Sequence, residues 1–315
     1  MSTPSPEVFN RAFRETFREG CLTFGVFFPI EAFVGSSPTM QPIAAAVDDI
    51  ARMPREACVT SQESPEVRPC TFGDLSSSVT VVLFGDSHAV QWFNPLSRIA
   101  ESQRWKLVTM LKSACPAADV TSPGANEQIA ANCRSWRADA IRRIGALRPA
   151  LVMTGNASLY LVRRMGRSGV SPADWQEGMR RTLSQLGSHG MPVVNVRDNP
   201  RFAFDVPTCL ARSKRISWYP GGNCDQDQAT SLLPGMFEAE KAAARGLSNV
   251  HFIDFSERFC RSGRCQAVED GVVMYRDNQH LTGRYADVLM PALQAELLRF
   301  INPSSDRSGV RNNAP

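Results

Sequence analysis

From Thr80 onward, short apolar runs alternate with longer stretches in which apolar residues return every three or four positions. The short runs predict strands at Thr80–Phe84, Lys106–Leu111, Leu151–Thr154, Pro192–Val196 and Val250–Asp254, and the longer ones predict helices at Ala89–Ser102, Asn132–Leu147, Pro172–His189 and Pro234–Arg245. A last helix, Gly283–Phe300, carries Ala286, Leu289, Leu293 and Leu297 at helical spacing. Strands alternating with helices in this way form a parallel sheet covered on both faces, so the predicted class is α/β, a three-layer α/β/α sandwich. Ligands in such folds bind where the strands end. Ahead of this domain, residues 1–57 hold Pro and Ser clusters such as "VGSSPTMQP" and read as an arm or linker. The domain proper is placed at 58–302, and the polar, non-periodic residues 303–315 read as a disordered tail.

Composition narrows the function classes. With 315 residues, 43% of them hydrophobic and 21% charged, the chain can bury a large core. A formal net charge of +4, spread without a dense basic run, gives no reason to expect a nucleic-acid partner. Eight of the nine cysteines fall into local pairs, Cys58 with Cys70, Cys115 with Cys133, Cys209 with Cys224 and Cys260 with Cys265. No Cys-x-x-Cys or Cys-His cluster offers a zinc site, so short disulfide loops are favoured over unrelated buried thiols, and no metal is expected. Each bridge closing about 15 residues contributes about 3 kcal/mol in the chain-entropy model. Cys21 is left over. Disulfides imply an oxidising compartment, yet "CLTFGVFF" is too short to span a bilayer and no small-residue cleavage site follows it.

The candidate chemistry lies at the strand ends. In "TVVLFGDSHAVQW", Ser87 follows the first strand and precedes a helix, a position that suits a nucleophile and a helix cap alike. A base decides between them. Of the four histidines, His189 and His251 fall in a turn and at the amino end of a strand, and His88, next to Ser87 in the chain, is expected to point elsewhere. His280, in "YRDNQHLTG", can return to the strand edge, and Asp277 three residues before it can hold its Nδ1. Ser87, Asp277 and His280 are therefore the candidate triad of nucleophile, orienter and acid/base. Gly155 and Asn156 in "TGNAS" end the third strand at the same edge, and with the Ser87 N–H they are the candidate oxyanion donors.

These segments together resemble a known superfamily. "FGDSH", "GN" at 155–156 and "DNQH" resemble blocks I, III and V of SGNH (GDSL-like) hydrolases. "VVLFGDSHAVQW", "SACPA", "RDNP" and "DNQHLT" resemble more closely the extracytoplasmic SGNH domain fused to membrane acyltransferase family 3 proteins, over roughly Ala57 to Ile301. The resemblance implies a flavodoxin-like sheet, no cofactor, and serine-dependent transfer of an acyl group, acetyl above all, to a cell-envelope polysaccharide. The acyl group would come from a membrane acyltransferase domain in the same chain or a separate partner, and that domain would also account for export of the paired cysteines. One block departs from the pattern. No block II glycine follows the second strand, where Lys112 or Ser113 would have to supply the backbone N–H.

Asp198 and Asn199 in "VRDNPRF" also sit at the functional edge, as acceptor-binding candidates or as ordinary turn residues. Trp92 and Trp136 read as core, whereas Trp218 and Tyr219 within the Cys209–Cys224 loop are candidates for stacking on a sugar. Two other readings compete with transfer: a carbohydrate O-acetylesterase, and a non-catalytic envelope glycan-binding module that keeps the fold. A nucleotide-binding role is disfavoured, because no Gly-x-Gly-x-x-Gly loop follows the first strand.

Overall fold

The structure, a computed structural model, describes residues 40–162, 169–215 and 224–301. Its centre is a seven-stranded sheet. The strands are β1 (Val59–Thr60), β2 (Cys70–Gly73), β3 (Thr80–Gly85), β4 (Lys106–Lys112), β5 (Leu151–Gly155), β6 (Val193–Val196) and β7 (Val250–Ile253). They lie in the order β1-β4-β3-β5-β6-β7 and run parallel, except that β2 pairs antiparallel with the outer edge of β4. Each of the five predicted strands is present, with ends shifted by one residue at most.

Both faces of the sheet are buried, as continuous apolar runs require. Along β3, Val81 and Leu83 enter one core layer, and Val82 and Phe84 enter the other. Trp92 packs in the first layer and Trp136 in the second, both core as expected. Gly85 lies opposite Leu111 and Gly155, Gly155 opposite Val196, and Val196 opposite Ile253. The carboxyl ends of β3, β4, β5, β6 and β7 are thus level, and the segments leaving them share one edge.

Helix boundaries depart from the periodicity for local reasons. The helix expected at Asn132 starts at Glu127, because the Asn126 side chain accepts the Ile129 N–H at 2.8 Å and caps it. The run after β3 is two helices, Ser87–Val90 and Phe93–Gln103. The final run likewise divides into Gly283–Val288 and Met290–Ile301, with Pro291 in the first turn of the second, where a missing N–H costs nothing.

The domain begins before residue 58. Met40, Ile43, Ala46, Ala51 and Met53 are buried in the same core layer as Val81 and Leu83, with Ile43 and Ala46 on the helix Gln41–Val47. Asp49 accepts the Gly283 N–H with its carbonyl and the Arg284 N–H with its side chain, and the Arg52 N–H donates to Asn94 Oδ1 at 2.7 Å. Pro and Ser residues in this stretch obscure apolar side chains that are spaced for packing.

All four expected disulfides form. Cys58–Cys70 joins the end of the helix Arg55–Cys58, just before β1, to β2 along the edge of β4, and Cys115–Cys133 ties the segment after β4 to the helix Glu127–Leu147. Cys21, Trp218, Tyr219 and the tail lie outside the described residues, among which no helix is long and apolar enough to cross a membrane.

Candidate active site

Ser87 is the first residue of its helix, directly after β3 and Asp86. Asp86 is fully buried and acts as a clamp: its Oδ1 accepts the His88 N–H at 2.8 Å and its Oδ2 accepts the Ala157 N–H at 3.1 Å. These bonds fix the turn that presents the Ser87 hydroxyl against the loop leaving β5. Across the edge, His280 Nε2 lies 2.9 Å from Ser87 Oγ.

The loop carrying His280 is organised by Asp277. Its Oδ1 accepts the N–H groups of Gln279 and His280 at 2.8 and 2.7 Å, and its Oδ2 lies 2.7 Å from His280 Nδ1. A carboxylate at Nδ1 selects the tautomer with the proton on that nitrogen, which leaves Nε2 as an acceptor for the Ser87 O–H. The candidate triad is therefore in hydrogen-bonding order. Burial pulls His280 down to about 4, with the charge of His88 adding to it, against the hydrogen bond that His280 donates to Asp277, which raises it. Burial would raise Asp277, but the hydrogen bond and charge of His280 together with Arg276 hold it well below the usual carboxylate range. At neutral pH the site holds a neutral imidazole on an ionised carboxylate. Such an arrangement can take the Ser87 proton and return it to a leaving group.

Residues outside the triad hold this loop in place. Gln91, one turn after Ser87, accepts the Leu281 N–H at 3.1 Å and donates to Asn199 Oδ1 at 2.7 Å. Asn199 in turn donates to the Gln279 carbonyl at 2.6 Å. Phe202 N–H reaches the Asn278 carbonyl at 2.7 Å. The stretch "RDNP" thus braces the histidine loop. A cleft opens on Ser87 and His280, walled by Arg276 and Leu281 on one side and by Ile50, Ala51 and Arg55 on the other.

A family model described as the SGNH domain fused to AT3 domains matches residues 57–295. The chain belongs to this family. SGNH membership makes it an acyltransferase or ester hydrolase. Among solved structures, the periplasmic domain of a lipopolysaccharide acetyltransferase from Salmonella ser. Paratyphi A is 14% identical, with the match covering 84% of this chain and 99% of that one at a TM-score of 0.58. A carbohydrate esterase family 2 enzyme with its carbohydrate-binding domain, from Corynascus thermopiles (Myceliophthora fergusii), is 11% identical over 71% of this chain and 67% of that one, with a TM-score of 0.46. At these identities the likeness is one of fold. No curated protein matches the chain by sequence.

Several site residues of this SGNH domain lie where the sequence does not predict them. The Asn156 carboxamide is committed elsewhere: its Oδ1 accepts the Ala117 N–H at 2.7 Å, and its Nδ2 faces Glu240 Oε1 at 3.5 Å and Met179 Sδ at 3.7 Å. It is not available to an oxyanion at Ser87, and Gly155 is paired with Gly85 and Val196 inside the sheet, which leaves the Ser87 N–H as the candidate donor. The Ser113 N–H is also taken, by the Thr60 carbonyl at 2.9 Å, and the buried Lys112 ammonium donates to the carbonyls of Ser61, Gln62 and Ser64. Asp198 and Asn199 spend their polar atoms inside the protein. Asp198 accepts the Ser158 N–H at 2.6 Å and lies 2.5 Å from His88 Nδ1, so His88, expected to turn away, faces the site.

Behind Asn156 lies a buried carboxyl, Glu240, 1% exposed and contacted by Asn195 Nδ2 at 2.8 Å and Trp175 Nε1 at 3.4 Å. Burial pushes it up to about 8 despite these donors. The unfolded chain therefore releases this proton near pH 4.5, while the folded chain keeps it until about pH 8. Stability from this group is full below the lower value and declines as pH rises through the higher one, by about 1.4 kcal/mol per pH unit between them. Glu240→Gln keeps the shape without the proton, so its unfolding free energy should lose about 2 kcal/mol less than wild type between pH 6 and pH 8 in urea titrations. Parallel pH dependences in the two proteins would show that Glu240 is ionised in the fold.

Proposed function

We propose that this SGNH domain transfers an acyl group, acetyl above all, to a hydroxyl of a cell-envelope polysaccharide through an acyl-enzyme on Ser87. The reading rests on one observation, the Ser87–His280–Asp277 relay at the strand edge of a chain whose family is found fused to AT3 domains. Ser87 Oγ attacks the acyl carbonyl as its proton passes to His280 Nε2, and Asp277 stabilises the imidazolium that forms. The tetrahedral oxyanion is met by the N–H group of Ser87. As it collapses, the leaving group takes the proton from His280. A sugar hydroxyl then attacks the acyl-enzyme, gives its proton to His280, and the proton returns to Ser87 Oγ.

The donor in this reading is a membrane acyltransferase of the AT3 type, in the same chain or as a partner, and the domain works on the extracytoplasmic side. Four disulfides and the fold shared with a periplasmic acetyltransferase domain support that placement. Water in place of the sugar would make the same chemistry a carbohydrate O-acetylesterase. Incubation of the oxidised protein with p-nitrophenyl acetate and envelope oligosaccharides separates the outcomes by mass spectrometry. An acetylated saccharide, absent with Ser87→Ala, is the expected result. Release of acetate alone means hydrolysis, and no reaction together with no labelling by a serine-directed phosphonate means a glycan-binding module.

A further inference from the structure

Two His–Asp pairs meet at Ser87. His280 rests on Asp277, and its ring centroid lies 4.7 Å from that of His88, which rests on Asp198 at 2.5 Å. His88 is 3% exposed, and it does not line the cleft. Its Nε2 is buried without a partner, so the second pair has no acceptor or donor of its own to serve.

We propose that the two imidazoles carry one positive charge between them and that Asp198 places it on His88, which makes His88 a positioning residue that keeps His280 neutral and able to accept the Ser87 proton. The inference rests on the assignment of His280 as base. Its physical basis is charge compensation in a buried site. Asp86 and Asp198, 0% and 7% exposed, otherwise receive only neutral donors: the His88 and Ala157 N–H groups and the Tyr160 hydroxyl for Asp86, and the Ser158 and Asn199 N–H groups for Asp198. A buried carboxylate is costly unless paired. The His88 ring is the ionisable donor in contact with Asp198, and rings this close do not both carry a positive charge easily.

Burial, and an Nε2–H without an acceptor, oppose a charged His88, while Asp198 after β6, Asp86 at the end of β3 and Asp277 in the last loop favour it; the carboxylates prevail and leave His88 raised, and burial also pushes Asp86 up. Around them, the Tyr160 hydroxyl is held neutral by burial and by Asp86, Glu240 is protonated below about pH 8, and Arg276 stands beside Asp277 at 3.9 Å. His280, next to a cation and itself buried, titrates far below an ordinary histidine. The functional consequence is acid tolerance. An enzyme outside the cytoplasm meets the pH of its surroundings, and this base stays deprotonated where a free imidazole would be charged.

The test reads protonation in two independent ways. In wild type, nitrogen NMR of the imidazoles should show His88 charged and His280 neutral at pH 6, with His280 titrating below pH 5; a neutral His88 at pH 6 overturns the proposal whether or not the protein turns over any ester. Catalysis gives the second reading, from the pH profile of kcat/KM on p-nitrophenyl acetate. His88→Asn and Asp198→Asn should each move the acid limb upward by about one pH unit, since each takes the charge off the neighbouring ring. A role in packing alone would lower the plateau and leave the limb near pH 4, which also overturns the proposal. Should either variant fail to fold, the wild-type titration decides. A wild type without turnover that shows the expected titration would sink the catalytic assignment and keep the charge partition.

Discussion

Ser87→Ala is expected to lower p-nitrophenyl acetate turnover by about 10³-fold or more, and His280→Ala to lower it as far. In the proposed reaction the Ser87 oxygen bonds to the acyl carbon, and its proton leaves along the 2.9 Å contact to His280 Nε2. Because the two groups act in one step, the double variant should be no worse than either single one. That non-additivity separates a catalytic unit from two independent injuries. Deleting one oxygen from Ser87 leaves Asp86 clamped to His88 and Ala157 and leaves His280 on Asp277, so the fold should survive, as circular dichroism would show. Unchanged turnover in Ser87→Ala would place the nucleophile elsewhere. The wild-type profile carries a sign as well: kcat/KM requires neutral His280 and should hold as pH falls below 6, then drop through pH 4.

How much of this was legible in the sequence depended on which feature was asked for. Strand ends were readable because a run such as Val81–Phe84 is buried on both faces and stops where Gly-Asp-Ser begins. The Asp277 and His280 pair was readable because three residues suffice to close that loop, and all its hydrogen bonds to Asp277 are local. Paired cysteines were readable for the same reason of short separation. What stayed hidden was set by distant partners. Asn156 is turned from the edge by Ala117 and Glu240, and His88 is turned toward it by Asp198, residues that no local pattern connects. The bracing role of Gln91 and Asn199 is equally non-local. A polar residue at a strand end announces the edge. It does not announce which neighbour will claim it.

Gly85→Ala should damage the strand end that carries Ser87 severely. Gly85 ends β3 with φ at +145°, a conformation that side-chain-bearing residues rarely adopt, and a Cβ built there would lie 2.6 Å from the Gly155 carbonyl oxygen and 3.0 Å from Ala89 Cβ. Neither neighbour yields cheaply. Gly155 is in register with Gly85 inside the sheet, and Ala89 belongs to the helix that begins at Ser87, so relief would require moving a strand or the nucleophile's own helix. Backbone strain of about 1–3 kcal/mol and overpacking of about 1–3 kcal/mol act together, for an expected loss near 3 kcal/mol or more in urea unfolding. Turnover should fall even at temperatures where the variant remains folded, because the displaced turn carries Ser87 away from His280. Gly155→Ala is the matched control. Its Cβ would meet the His88 carbonyl oxygen at 3.6 Å and Ala89 at 3.8 Å, ordinary contacts, so its stability should change by less than about 1 kcal/mol. The contrast follows from the positive φ and the close approach at Gly85, neither of which Gly155 has; comparable losses in the two variants would mean that the turn before Ser87 is looser than its contacts require.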